Sequence, residues 1–257
     1  MPFTLAGFYE NVDPAAAFNA LTALADPHLT ISGNAIRVPL LNKIVAIAGM
    51  AESTVAPRMR LVAPSLRRRT NHMVAPLNIV AAAAVTPNSP HRMVDLREGP
   101  LNLIQNENLT CELLSNPAAA QDQSCLVWFS DGPITPIKAD IFTVRATAAA
   151  TLVAGAWTNG SITFDEDLPR GKYQVVGMRA ESAGIVAARL VPVGNLWRPG
   201  VLGSLLVQNL EHPMFRNGGL GVFCEFEDIE PPTVDFLSIS ADTAEVVYLD
   251  LVQLSAA

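Results

Sequence analysis

Four histidines, His28, His72, His91 and His212, are the first residues to weigh for metal or general-base chemistry. They form no His-x-His and no pair at helical spacing, so no metal site is expected from them. Cys111, Cys125 and Cys224 sit in or beside alternating apolar segments, and an odd count argues for buried reduced thiols over a disulfide framework. Asn217-Gly218-Gly219-Leu220-Gly221 is glycine-rich but lacks the Lys-Ser/Thr of a phosphate loop, and it leads into the strand-like Val222-Phe223-Cys224-Glu225-Phe226. It reads as a turn. No Gly-x-Ser-x-Gly elbow is present, and Asp165, Glu166 and Asp167 are adjacent in a hairpin-like loop, as solvated charge or as a cation site. Arg67-Arg68-Arg69 is the basic run, suited to phosphates, to a solvated loop or to salt bridges between subunits. The net charge of −7 offers no general attraction to nucleic acid. Catalytic residues, metals and cofactors are therefore all expected to be absent. Asn108-Leu109-Thr110 and Asn159-Gly160-Ser161 match the glycosylation pattern by accident if the chain is not secreted.

Two carboxylates stand out for a different reason, because they occupy matched positions. Residues 43–69 align without gaps on residues 172–198 at a shift of 129. Lys43 meets Lys172, Ala51-Glu52-Ser53 meets Ala180-Glu181-Ser182, Arg60-Leu61-Val62 meets Arg189-Leu190-Val191, and Arg69 meets Arg198. That is eight identities in 27 positions, where average usage gives about two. The shift is half the chain, so an internal duplication is expected. Glu52 and Glu181 then read as a repeated structural feature, accepting backbone hydrogen bonds or pairing with an arginine such as Arg60 or Arg189.

Short runs of Val, Ile, Thr and Leu bounded by Gly, Pro, Asn and Asp predict about eight strands in each half and no βαβ rhythm. The fold class expected is all-β: two tandem jelly-roll (β-sandwich) domains, with a short N-terminal helix. The helix signal is Asp13 as N-cap, Pro14 at the first position and an alanine-rich run to Ala25. The domains predicted are an N-terminal arm with the helix over 1–27, a first jelly roll over 28–132 and a second over 133–257, divided near the Gly/Pro cluster 131–136. Charged residues are 16% of the chain against about 25% in typical soluble domains, and mean hydropathy is +0.29. The apolar runs, such as 79–85, are too short to span a bilayer, so self-association is the better account of the charge deficit. No secretory signal is visible at the N-terminus.

Tandem jelly rolls, a helical arm, low charge and no catalytic constellation together resemble the double jelly-roll major capsid proteins of tailless icosahedral viruses, bacteriophages among them. The resemblance implies a non-enzymatic virion protein, made in the host cytoplasm, whose homotrimers form pseudo-hexameric capsomers that tile an icosahedral shell. The implied partners are neighbouring capsomers, minor capsid or penton proteins and, in some members, an internal membrane; specific nucleic-acid binding is not implied. The segment 1–27, with Phe18, Leu21 and Leu24 on its apolar stripe, would be an assembly arm. The alternatives are a tandem β-sandwich carbohydrate-binding or adhesin module, for which only Trp128, Trp157 and Trp197 are available as stacking platforms, and a jelly-roll hydrolase.

Overall fold

Asn108–Leu114 shows why strands dominate: Leu109, Cys111 and Leu113 are buried while the residues between them are not, a period of two that places one face on a core. Gly171–Glu181 is buried along almost its whole length, as a strand covered on both faces must be. The computed structural model describes residues 2–53, 55–67, 72–74, 77–79, 92–182, 184–204, 212–243 and 245–256. Strand makes up 54% and helix 3% of the described residues, so the fold is all-β.

The chain forms two compact units, Ala6–Pro133 and Ile134–Ala257 together with Met1–Leu5. The division falls between Pro133 and Ile134, within the predicted Gly/Pro cluster.

The N-terminal unit holds β1 (Phe3–Val12), whose first residues belong to the other unit, β2 (Phe18–Ala20), β3 (Thr22–Ala23), β4 (Ile31–Ser32), β5 (Ala35–Arg37), β6 (Lys43–Glu52) and β7 (Arg58–Val62). It continues with β8 (Met73–Val74), β9 (Leu77–Ile79), β10 (Arg92–Asp95), β11 (Leu101–Asn102), β12 (Asn108–Leu114) and β13 (Gln121–Ser130). One sheet runs β10-β6-β13-β1-β3, with β9 and β11 also on β6; the other runs β4-β5-β12-β7-β8, with β2 also on β12.

The C-terminal unit holds β14 (Phe142–Ala149), β15 (Trp157–Phe164), β16 (Gly171–Glu181), β17 (Ile185–Val191), β18 (Gly200–Ser204), β19 (Cys224–Glu227), β20 (Thr233–Ser238) and β21 (Glu245–Ala256). Its order is β18-β17-β20-β15-β14-β21-β16-β19, and β16 also pairs with β18, so seven strands close a ring with β19 beside it. The closing contact is parallel, Ala180 opposite Gly203 and Glu181 opposite Ser204. In the N-terminal unit β6 and β9 pair in parallel too, with Ala51 opposite Asn78 and Glu52 opposite Ile79.

The predicted N-terminal helix does not form. The Asp13 carboxylate accepts the Ala15 N–H at 2.9 Å, and Ala15 and Ala16 sit at φ of 50° and 60°, a turn that no α-helix continues. Phe18–Ala20 then pairs with β12 and Thr22–Ala23 with β1. Helix preference differs by tenths of a kcal/mol per residue and an isolated helix this short is marginal in water, so ladder pairing decides. The segment 1–27 is accordingly part of the sheets and not a helical arm.

Candidate functional site

Arg60 and Arg189, matched in sequence, build matched clusters. On β7, Arg60 stands opposite Glu112 of β12, with Nη2–Oε2 at 2.5 Å and its guanidinium carbon 3.9 Å from the Phe18 ring centre. On β17, Arg189 stands opposite Asp235 of β20, with Nε–Oδ2 at 3.0 Å and its guanidinium carbon 4.0 Å from the Trp157 ring centre. Each aromatic residue pairs with the residue two beyond the acid, Phe18 with Leu114 and Trp157 with Leu237. A guanidinium held between a carboxylate and a ring face gains from both, the more so where water is excluded. The clusters differ in burial: the Arg60 side chain is 31% exposed and that of Arg189 is 1%.

The buried cluster also holds the start of the chain. Arg189 Nη1 donates to the Leu5 carbonyl at 3.3 Å, and Leu5 N–H donates to the Arg198 carbonyl at 2.8 Å. Arg198 N–H donates to Thr4 Oγ1 at 3.0 Å, while its guanidinium binds the Asn195 carbonyl at 2.7 Å. Arg198 therefore serves as a clamp for residues 4 and 5; its matched partner Arg69 lies outside the described residues.

Glu181 pairs with Arg179 of its own strand, whose guanidinium lies 5.6 Å from the Tyr248 ring centre. Residues two apart on one strand share a face, whereas Arg189 faces Asp235 and Arg60 faces Glu112. The side chain of Glu52 lies outside what is described. The serines of the repeated Ala-Glu-Ser have a clear common task that the sequence reading missed. Ser53 Oγ accepts the Val55 N–H at 3.1 Å and Ser182 Oγ accepts the Gly184 N–H at 3.5 Å, each turning the chain out of its strand. Ser53 Oγ also accepts the Asn116 N–H, and the Ser182 hydroxyl donates to Asp242.

Phe18, Leu21 and Leu24, read as an assembly stripe, do not form one. Phe18 lies under Arg60, Leu21 and Leu24 are buried, and Leu24 fills the space left by Gly7, where a Cβ would come within 2.8 Å of it.

The C-terminal unit carries an open cleft of ≈ 480 Å³ lined by Phe3, Trp197 and Phe223 with Gln174, Asn195 and Glu225. Its ionisable groups are poorly set for catalysis. The Lys172 ammonium, at 2.5 Å, and the Gln174 amide hold the Glu225 carboxyl below its ordinary range, and burial pushes the Cys224 thiol up to about 12. Among the described residues no three of His, Cys, Asp and Glu gather as metal ligands. Asn217–Leu220 forms the expected turn, with Asn217 and Gly218 at positive φ.

No family model, no curated protein and no solved structure matches the chain.

Two further carboxylates escaped the sequence reading because no motif marks them. Asp250 is fully buried, receives Arg216 Nε at 2.8 Å, Nη2 at 2.9 Å, the Thr143 hydroxyl at 2.7 Å and the Asn217 N–H at 2.7 Å. Burial alone would raise its pKa, but these donors together hold it below the ordinary value. Gly177 makes the room, since a Cβ there would stand 2.2 Å from Asp250 Oδ2. The other is Glu245, fully buried on the strand face that carries Val247, Leu249 and Leu251, with neither carboxylate oxygen hydrogen-bonded. Burial and, to a lesser degree, the charge of Asp242 raise its pKa.

Between the ordinary value of 4.5 and the raised one, the folded chain holds a proton that the unfolded chain has lost, so stability falls as pH rises through that window. Glu245→Gln is expected to melt higher than the parent at pH 8 and to lose that advantage near pH 4. Parallel pH profiles of melting temperature for the two chains would show instead that the carboxyl is solvated.

Proposed function

We propose that this chain is a structural shell protein of the double jelly-roll kind, a tandem duplicate whose trimers tile an icosahedral virion capsid. The carrying observation is strand order. Numbered within the C-terminal unit, the strands run in the rows first-eighth-third-sixth and second-seventh-fourth-fifth, an order that supports the jelly-roll reading. The N-terminal unit is consistent with the same plan, with β2 and β3, β8 and β9, and β10 and β11 each standing where the other unit has one strand, and with the β4–β5 hairpin added on β12. The shared parallel closure at Ala51-Glu52 and Ala180-Glu181 and the matched arginine clusters support descent from one domain. Three copies of a doubled domain present six similar blocks around one axis, which is how duplication serves a tile.

Light scattering after size exclusion tests this. The expected mass is about 82 kDa, three times the 27.4 kDa chain, with closed shells in negative stain at higher concentration. A monomer at every concentration would overturn the reading. The cleft beside Trp197 and Phe223 supports a second reading, a carbohydrate-binding module, since aromatic faces flanked by amides suit a pyranose. Saturable binding on a glycan array, lost in Trp197→Ala, is the result that reading requires.

A further inference from the structure

We propose that copies of this chain bind one another head to tail, an apolar patch on the N-terminal unit of one copy meeting an acidic turn on the C-terminal unit of the next. The proposal rests on the shell reading and names the contact that would build its ring.

The patch is Leu40 and Ile104, 67% and 58% exposed. Their segments run side by side: Leu103 N–H donates to the Asn42 carbonyl at 2.9 Å, and Asn106 N–H to the Val38 carbonyl at 2.9 Å. Beside them the exposed Arg37 donates to the Asn106 carbonyl at 3.1 Å and has no ion-pair partner among the described residues. The acid of the same turn, Glu107, is taken up by the backbone N–H groups of Ser65 at 2.9 Å and Ile104 at 2.8 Å.

The counterpart is the turn after β19, closed by Glu230 N–H on the Glu227 carbonyl at 2.9 Å, with Ile229 at its tip 80% exposed. Glu227 and Glu230 are exposed without an ion-pair partner among the described residues, Asp228 binds the Gly171 N–H, and Lys172 is engaged with Glu225. Arg170, next in sequence to Gly171, leaves the turn net negative.

These are the same turn in the two units. Asn102 pairs with Lys43 as Glu227 pairs with Lys172, and an isoleucine follows two residues later in each. A single exposed isoleucine is ordinary. An isoleucine stands at the tip of both copies of one turn, beside the unpaired Arg37 in one and beside Glu227 and Glu230 in the other, so that each turn complements its counterpart and not itself. Like turns meeting like would set acid against acid, whereas alternation pairs Arg37 with Glu227 and Glu230 and brings the apolar tips together. Made head to tail, such contacts close into a ring where the rotation from copy to copy divides a full turn.

Three variants of the full chain test the contact: Arg37→Glu, Glu230→Arg and the two combined, each followed by light scattering across concentration. All three lie on the surface, so each should retain the parent circular dichroism spectrum. Each single reversal should raise the concentration needed for association about tenfold or more, and the combination should recover most of that. Association of the parent that neither reversal weakens, or that the combination fails to restore, overturns this contact alone. A parent that stays monomeric overturns the shell reading beneath it. Ile104→Ser with Ile229→Ser gives an independent check, expected to weaken association without altering the charges.

Discussion

A chain lacking residues 1–12 is expected to show no cooperative unfolding transition. The deletion removes β1, whose first six residues are all buried and which lies between β13 and β3. Phe3, Leu5 and Phe8 are essentially inaccessible to water. Burying a side chain of that size contributes about 1.5–3 kcal/mol, so the three together rival the roughly 5–15 kcal/mol that hold a whole domain folded. The deletion also exposes the edges of β13 and β3 and removes the Leu5 carbonyl that accepts from Arg189 Nη1. Circular dichroism during a thermal ramp is the check. A melt within a few degrees of the full chain would show that β1 is dispensable and that the segment is an arm after all.

The second large effect separates two arginines that the sequence treats as equals. Arg189→Ala leaves the Asp235 carboxylate in a buried cluster with the Asn159 amide but without its cation, and breaking a buried pair from one side costs about 3–5 kcal/mol. Arg60→Ala breaks a pair whose side chains are 31% and 26% exposed, where the ionic part is about 0.2–1 kcal/mol and the stacking on Phe18 about 0.5–1 more. Urea midpoints for the two variants should therefore differ clearly. Equal losses would mean that burial does not govern the pair. Replacing both partners, Arg189→Met with Asp235→Leu, should recover much of the stability, because an apolar pair leaves no orphaned charge.

Much of the fold was legible because burial leaves a period of two, as in β12, or an unbroken apolar run, as in β16. The strand Phe3–Val12 was not, because its buried first half shows no alternation and Gly7 interrupts it. The alanine-rich stretch after it mimicked a helix for want of any local sign that β12 and β1 would claim it. The matched arginines could be read directly, but their acids could not. Glu112 and Asp235 are 123 residues apart where Arg60 and Arg189 are 129 apart, so an ungapped comparison passes between them, and one acid is longer than the other. The Asp250 network joins residues from four separate stretches of chain, and only folding brings them to one point.

The clamp on residues 4 and 5 orders events at the ribosome. Leu5 is synthesised more than 180 residues before the groups that receive it, on Arg189 and Arg198. At roughly 5–20 residues per second the nascent N-terminus waits on the order of ten to forty seconds with Phe3 and Leu5 unsatisfied. The last strand, β21, must also emerge before β14 and β16 are joined. The C-terminal unit therefore stays incomplete until β21 has been made, whereas every strand of the N-terminal unit is present by Ser130, and the waiting segment is where a chaperone, or a premature encounter with another nascent chain, would act first.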